Sequence, residues 1–169
     1  MASPHPHDIL SRRRLLAGAA ACAGAAVIGR GDEPAAATAE TLAGRLHASL
    51  SPAQREKVCF PWDYRHPKFG LLRTRVGNNW NATEPSVKGD FFTAEQQRLV
   101  REIFEQLVAP DWHARFDQQL EDDCGGFGHD QSIALLGEPG SGTFQFLLTG
   151  RHMTCLLYTS PSPRDATLS

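Results

Sequence analysis

Two apolar runs separated by a short segment of turn residues constrain the fold more than any other feature of this sequence. The stretch is IALLGEPGSGTFQFLL, residues 133–148. After its glycines, apolar side chains alternate at Phe144, Phe146 and Leu148, which is the two-residue period of a β-strand. Residues 138–142 supply the glycine, proline and serine that are typical of tight connections. The sequence therefore predicts a β-hairpin here.

The same stretch resembles the phosphate-binding loop G-x-x-x-x-G-K-[ST], which would imply a nucleotide cofactor. That loop needs a lysine that reaches the β- and γ-phosphates, and a helix that begins directly after it. In this chain Gly142 is followed at once by Thr143, so the lysine is missing. The residues after Thr143 have the period of a strand and not of a helix. We therefore expect no nucleotide.

Residues 1–39 are typical of an export signal. Arg12 and Arg13, with a third arginine after them, precede an Ala/Gly-rich apolar run that ends near Ile28. This arrangement resembles a twin-arginine signal peptide, and Ala-x-Ala cleavage sites follow within residues 35–39. The apolar run is short and weakly hydrophobic for a membrane span. We expect the two arginines to contact the twin-arginine export machinery, a periplasmic or extracellular location, and membrane contact through this signal alone.

Residues 155–169 depart from the patterns that precede them, because they show no apolar period and repeat Ser–Pro pairs. When back-translated, the codons from Cys155 to Asp165 resemble the transposase adapter used to prepare sequencing libraries. We therefore expect a non-native, adapter-derived tail, with Met153 or Thr154 as the last genuine residue and a gene that continues beyond it. The alternative is a natural disordered tail rich in proline and serine.

Residues 40–154 remain as the N-terminal part of one α+β domain. The whole chain has a net charge of −2 with neutral histidine, and this segment is slightly more acidic still. A nucleic-acid-binding protein would present a basic stripe, so we expect no nucleic-acid partner. Cys59 and Cys124 are the cysteines of the segment. An oxidising periplasm would let them pair, whereas folding in the cytosol before export would keep them as thiols, and both alternatives stay open.

Helical periodicity dominates the first part of this segment. Leucine recurs at every fourth position from Leu42 to Leu50. Ser51 and Thr93 each open a capping box, and the second box begins a helix that stays apolar on one face as far as Val108. These patterns predict three helices.

Further helical and irregular segments complete the fold prediction. Asp111 is expected to cap a fourth helix with an apolar stripe from Trp112 to Leu120. Residues 60–90 form a long irregular connection with one plausible short strand at residues 71–76. Helices followed by antiparallel strands predict an α+β fold, with N-terminal helices packed on a β-hairpin or sheet that is incomplete at its C-terminal end.

Candidate chemistry lies in the glycine-rich segment between the last helix and the hairpin. His129 and Asp130 are in this segment, and His152 is expected to close the second hairpin strand near it. Two histidines and one carboxylate suit a divalent metal that polarises a bond or activates water. This set predicts a metal-assisted hydrolase or lyase, although no residue can be assigned as catalytic. The alternative is a solvated acidic helix end followed by a glycine-rich turn.

A binding or structural module is the second function class that stays open. In that case the three candidate ligands diverge, and Trp62, Trp80 and Trp112 line an apolar or sugar-binding surface. With the chain interrupted, residues 143–153 are expected to form an exposed edge strand that promotes association.

Several of these motifs together resemble one bacterial family. They are the twin-arginine leader, the segment SLSPAQREKVCFPWD, the pair Asn79–Trp80, the TAEQ helix start and the segment LLGEPGSGTFQFLLTGRHMT. The combination resembles the exported family known as domain of unknown function 3500, over residues 49–153. The resemblance implies that full-length members continue past the hairpin, and it implies no activity. Such relatives would carry two histidines where this chain has Arg151 and His152.

Overall fold

The structure is a computed structural model that describes residues 37–158. The expected export signal, with Arg12 and Arg13, and most of the expected adapter-derived tail lie outside the described residues. Within residues 37–158, no helix has the length and apolar character needed to cross a membrane.

The described residues contain four α-helices and six strands, and all four helices precede β4, β5 and β6, the three long strands of the main sheet. The α+β prediction is therefore confirmed. In chain order the elements are α1 (Ala39–Ser49), α2 (Pro52–Val58), β1 (Cys59–Phe60), β2 (Arg65–His66), β3 (Gly70–Leu71), a 3-10 turn (Leu72–Thr74), α3 (Ala94–Leu107), α4 (Pro110–Cys124), β4 (Gln131–Gly137), β5 (Phe144–Gly150) and β6 (Met153–Tyr158).

The main sheet has the strand order β1-β4-β5-β6, and β2 pairs with β3 in a separate two-stranded sheet. The predicted hairpin is confirmed, because β4 and β5 are antiparallel and Gly137 pairs with Phe144. The main sheet is mixed and not purely antiparallel, since Cys59 pairs with Leu135 in parallel. This parallel strand arises because α2 ends at Val58 and leads directly into an extended segment beside β4.

Two sequence-based boundaries need correction. Asp111 does not cap α4, because the helix already begins at Pro110, where the fixed φ of proline suits the first turn. The predicted strand at residues 71–76 is also wrong. Leu71 and Leu72 are adjacent apolar residues that do not alternate, and the chain turns into a 3-10 helix that buries Leu72 completely.

The two predicted capping boxes are confirmed, and they interlock. In each box the glutamine at the third helical position accepts a hydrogen bond from the backbone N–H of the capping residue, Ser51 or Thr93. The two glutamines then pair with each other. Gln54 Nε2 donates to Gln96 Oε1 at 2.8 Å, and Gln96 Nε2 donates to Gln54 Oε1 at 3.0 Å. This buried amide pair joins the starts of α2 and α3.

Successive side chains along β4, β5 and β6 point to opposite sides of the main sheet. Both faces of the sheet are covered and buried. On the helix-covered face, a large apolar cluster joins the sheet to α1 and α3 through Leu46, Ile103, Phe104, Ile133, Leu135, Phe146 and Leu148. On the loop-covered face, the irregular segment that follows β1 packs on the sheet through Leu72, Trp80, Ala82, Ala134, Leu136 and Leu147.

The expectation that residues 143–153 form an edge strand is wrong. β5 is an inner strand, because β6 pairs with it from Tyr158, opposite Gln145, to Met153, opposite Gly150. Cys155 belongs to the helix-covered face and Leu156 to the loop-covered face, so the start of the expected tail follows the two-residue period of a strand. The expected adapter origin of the tail rests on its codons. Strand pairing does not test codons, so this origin stays a prediction.

Candidate functional site

A carboxylate and an imidazole from distant parts of the chain meet beside α4. His152 Nε2 lies 3.4 Å from Asp123 Oδ2, and both side chains are partly exposed. Asp123 stands in the last turn of α4, whereas His152 lies in the two-residue turn between β5 and β6. The contact therefore joins the helical layer to one end of the sheet. When the imidazole is protonated, the two groups form an ion pair.

The turn holds His152 in an unusual backbone conformation. Its φ is +57°, in the left-handed region that few residues other than glycine adopt. Asn79 stabilises this turn, because its Oδ1 accepts a hydrogen bond from the His152 backbone N–H at 3.1 Å and its backbone forms a bridge with Arg151. His152 therefore lies two residues beyond Gly150, the last residue of β5, instead of closing that strand as expected.

An open groove of about 620 Å³ lies where these two elements meet. We name it the α4 groove, and its lining residues are Ala114, Arg115, Gln118, Gln119, Asp122, Asp123 and His152. Contacts on α4 orient two of its polar side chains. Gln118 Nε2 donates to Asp122 Oδ1 at 2.9 Å, and the Arg115 guanidinium lies 5.1 Å from the ring of Trp112. The groove thus presents cationic, anionic and amide groups within a single site.

The structure does not assemble the predicted set of His129, Asp130 and His152 as metal ligands. No group of three or more His, Cys, Asp or Glu side chains among residues 37–158 is arranged to hold a metal ion. His129 is exposed in the turn after α4, with its ring near Gly126. Its backbone N–H donates to the Gly126 carbonyl.

Asp130 approaches β5 through its backbone. A Cβ at Gly150 would collide with the Asp130 carbonyl oxygen, so the glycine permits this close approach. His152 instead contacts Asp123, a carboxylate that the predicted set did not include. The structure thus places His152 beside an acidic residue at the end of α4, and not beside His129 or Asp130.

The cysteine alternatives are resolved in favour of free thiols. Cys59, Cys124 and Cys155 are all unpaired in the structure. Burial raises the pKa of the Cys59 thiol to about 11, and Glu138 nearby adds to this shift while Arg55 opposes it. Burial likewise raises the pKa of Cys155 to about 11. Thiols with such pKa values are protonated at neutral pH, so neither suits a nucleophilic role.

The three tryptophans do not line one surface. Trp80 is only 7% exposed, and its Nε1 donates to Thr154 Oγ1 at 2.9 Å, so it belongs to the loop-covered face. Trp62 is half-buried against the same cluster. Trp112 is 51% exposed on α4 beside Arg115. The expectation of a shared aromatic surface is wrong because one ring is core and the other two belong to different layers.

Sequence reasoning missed Arg115, Gln118 and Asp123 as members of the site. The groove residues of α4 recur three or four positions apart, from Arg115 through Gln118, Gln119 and Asp122 to Asp123, and residues at that spacing share a face. That spacing marks a polar helix face, which is usually plain solvent-exposed surface. The signal that distinguishes this face is its contact with His152, which the sequence alone does not give.

No protein-family model matches the sequence, and the comparisons with curated proteins and with solved structures give no match either. The resemblance to domain of unknown function 3500 therefore stays a prediction.

Proposed function

We propose that this chain belongs to an exported bacterial binding protein that holds a small polar ligand in the α4 groove. One observation carries the proposal, which is the contact of 3.4 Å between Asp123 and His152 in the wall of that groove. Binding sites commonly combine a concave surface with a few converging polar groups. Here an imidazole, a guanidinium and two carboxylates converge, which suits a ligand with both positive and negative groups.

The arrangement favours binding over catalysis. A catalytic base works best in a site that excludes water, because low polarity strengthens its interactions. His152 and Asp123 are both partly exposed, with 36% and 29% of their side-chain surfaces accessible. Among the described residues that line the groove there is no serine, threonine or cysteine that would act as a nucleophile. The pair therefore orients a ligand better than it transfers a proton.

A calorimetric titration tests this proposal with zwitterionic amino acids, dicarboxylates and diamines as separate probes. We expect the zwitterions to bind and the other two groups to bind more weakly. Asp123→Asn should abolish the preference for zwitterions, whereas Asp111→Asn, at the opposite end of α4, should leave it unchanged. If no probe binds the wild-type protein, or if the two variants behave alike, the α4 groove is not the binding site.

Export is the second part of the proposal, and the pair Arg12–Arg13 before an Ala/Gly-rich run supports it. Residues 1–39 fused to a reporter should direct that reporter out of the bacterial cytoplasm. Replacement of both arginines by lysine should block export by the twin-arginine route. A reporter that stays in the cytoplasm with the wild-type leader would contradict this part alone.

A metal-assisted hydrolase or lyase is the second candidate function. The observation in its favour is the carboxylate beside His152, because histidines that ligate metals donate their other ring N–H to a carboxylate, a backbone carbonyl or water. His129 and Asp130 would have to move toward His152 to complete the set. Metal analysis of the purified full-length protein decides the matter, and the absence of stoichiometric metal would remove this candidate.

We also infer membership of the family known as domain of unknown function 3500. The support is the set of motifs within residues 49–153, among them the two capping boxes and the Gly-Glu-Pro hairpin. The gene sequence downstream of the codon for Thr154 is the decisive test. A continuous reading frame that encodes further family motifs would support membership and the adapter origin of the tail together.

A further inference from the structure

Basic residues concentrate in the segment that covers the second face of the sheet. Residues 55–75 contain six lysines and arginines and only two acidic residues. Residues 111–130, which include most of α4, contain one arginine and six acidic residues. A chain with a net charge of −2 thus divides into a basic segment and an acidic one. Such separation indicates a surface that attracts anions.

None of these six basic side chains has an acidic partner among the described residues. We name four of them, Arg65, Lys68, Arg73 and Arg75, together with Trp62 and Phe69, the cationic-aromatic surface. Within residues 37–158, the ion pairs involve Arg45, His47, Arg98, Arg101 and His152 instead. Three of the four, Arg65, Lys68 and Arg75, are exposed. Their charge is therefore available to a ligand.

Aromatic rings orient three of these cations. The Arg73 guanidinium lies 4.8 Å from the centre of the Trp62 ring, and the Arg75 guanidinium lies 5.2 Å from that of Phe69. Lys68 Nζ lies 5.4 Å from the same Phe69 ring. The guanidinium group is planar. When its face lies on an aromatic ring, the N–H donors at its edge stay available to bind carboxylate or sulfate oxygens.

A groove beside this surface indicates the chemistry of the ligand. It has a volume of about 560 Å³, and its lining includes Phe60, Pro61 and Trp62 together with Glu138 and Thr143. Sugar rings place their C–H faces on aromatic rings and their hydroxyl groups on carboxylates. A carboxylate at this position accepts hydrogen bonds from sugar hydroxyls.

We propose that the cationic-aromatic surface binds an acidic polysaccharide of the polyuronate type. Its carboxylates pair with Arg65, Lys68 and Arg75, and one sugar ring occupies the groove beside Trp62. The choice of a polysaccharide rests on the proposed export, because such polymers are encountered outside the cytoplasm. Binding itself is independent of export and of the α4 groove.

Affinity electrophoresis of the full-length protein in polygalacturonate gels tests this inference at low and at high salt. We expect retardation at low salt, weaker retardation at high salt, and none in a neutral dextran gel. The double variant Arg65→Glu/Lys68→Glu should bind at least about tenfold more weakly. The matched control Arg45→Glu/Lys88→Glu makes the same charge change elsewhere and should bind like the wild type. Thermal unfolding verifies that each variant is folded.

Trp62→Ala separates recognition of sugar from attraction to charge. This variant should weaken polygalacturonate binding about fivefold, which corresponds to the loss of one aromatic contact. It should leave binding to dextran sulfate, a probe for charge alone, nearly unchanged. Absence of polygalacturonate binding, an equal loss in the control variant, or tighter binding of single-stranded DNA would each overturn the proposal. A failed export assay with normal polygalacturonate binding would refute only the export.

Discussion

The two faces of the main sheet are buried by different means. Helices α1 and α3 cover one face with apolar side chains that recur at helical spacing. An irregular segment covers the other face, and polar groups attach it to the sheet. Ala82 N–H donates to Thr149 Oγ1 at 2.8 Å, and Thr83 Oγ1 donates to the Ile133 carbonyl at 2.9 Å.

This difference shows that a loop can replace a helical layer when its backbone has partners on the sheet. A buried backbone N–H without a partner is costly, so a covering loop needs acceptors that regular strands do not provide. Ser132 and Thr149 supply them, and their hydroxyl groups lie 3.2 Å apart between the strands. The helical layer needs no such attachment, because its backbone groups bond within each helix.

The largest test compares adjacent residues of β5 that face opposite sides. Phe146 and Leu147 are both fully buried, the first on the helix-covered face and the second on the loop-covered face. We expect Phe146→Ala to lower the free energy of unfolding by about 4 kcal/mol and Leu147→Ala by about 3 kcal/mol, because each leaves a cavity. Urea denaturation measures both.

Val76→Ala is the control for this comparison, because Val76 is 67% exposed and its truncation should cost less than about 0.5 kcal/mol. If Leu147→Ala costs no more than this control, the loop covers its face loosely. The two faces of the sheet would then contribute unequally to the free energy of unfolding, in addition to being covered by different kinds of structure.

The interlocked capping boxes give the next largest effect, on the helical side. Gln96→Ala removes the partner of a buried amide and should cost about 2 kcal/mol. The double variant with Gln54→Ala should cost less than the sum of the single variants, since both lose the same pair. Gln106→Ala, an exposed glutamine of α3, should be nearly neutral. Additive losses in denaturation experiments would show that the pair is not coupled.

The helix-covered face was largely predictable from sequence, and the loop-covered face was not. Capping boxes at Ser51 and Thr93 and the alternation at residues 144–148 are local signals, and each formed the expected element. The coverage by residues 60–90 depends on hydroxyl groups of Ser132 and Thr149, which are distant in sequence. No local period marks such a contact, so the segment was predicted as an irregular connection with one short strand, and its contacts with the sheet were not identified.

The candidate site was also predictable only where its signals are local in sequence. The sequence identified His152 and the acidic segment, because their residue types indicate chemistry. It combined His152 with Asp130, whereas the structure places His152 beside Asp123. The turn at Arg151 and His152 depends on Asn79, which lies far away in the chain. The partner of a side chain in a tight turn is set by tertiary structure and not by spacing.

A smaller effect tests the attachment of the loop. Thr149→Val keeps the shape of the side chain but removes the acceptor for Ala82 N–H, and it should cost about 1 kcal/mol. Hydrogen exchange of the Ala82 and Thr83 amides should become faster, while the amides of α3 serve as an internal control. Unchanged exchange at Ala82 would mean that apolar packing alone holds the loop on the sheet.

The smallest effect concerns pH at the contact between α1 and the β4–β5 connection. His47 is almost fully buried, and Glu138 in that connection lies 3.7 Å from its Nε2. Burial lowers the pKa of His47, nearby Arg55 lowers it further, and Glu138 opposes both. The folded state therefore prefers the neutral imidazole. Its contribution to stability is present above the unfolded value of 6.5 and is lost as pH falls through the lower folded pKa.

His47→Gln should flatten this acid-side loss of stability in denaturation experiments carried out at several pH values. Glu138→Gln should steepen it, because that substitution removes the group that raises the pKa of His47. The two variants thus move the pH slope in opposite directions, a pattern that a general loss of packing would not produce. Equal slopes in both variants would show that α1 contacts the β4–β5 connection without electrostatic coupling between His47 and Glu138. The contact would then resemble those of the loop-covered face, which uncharged hydroxyl groups make.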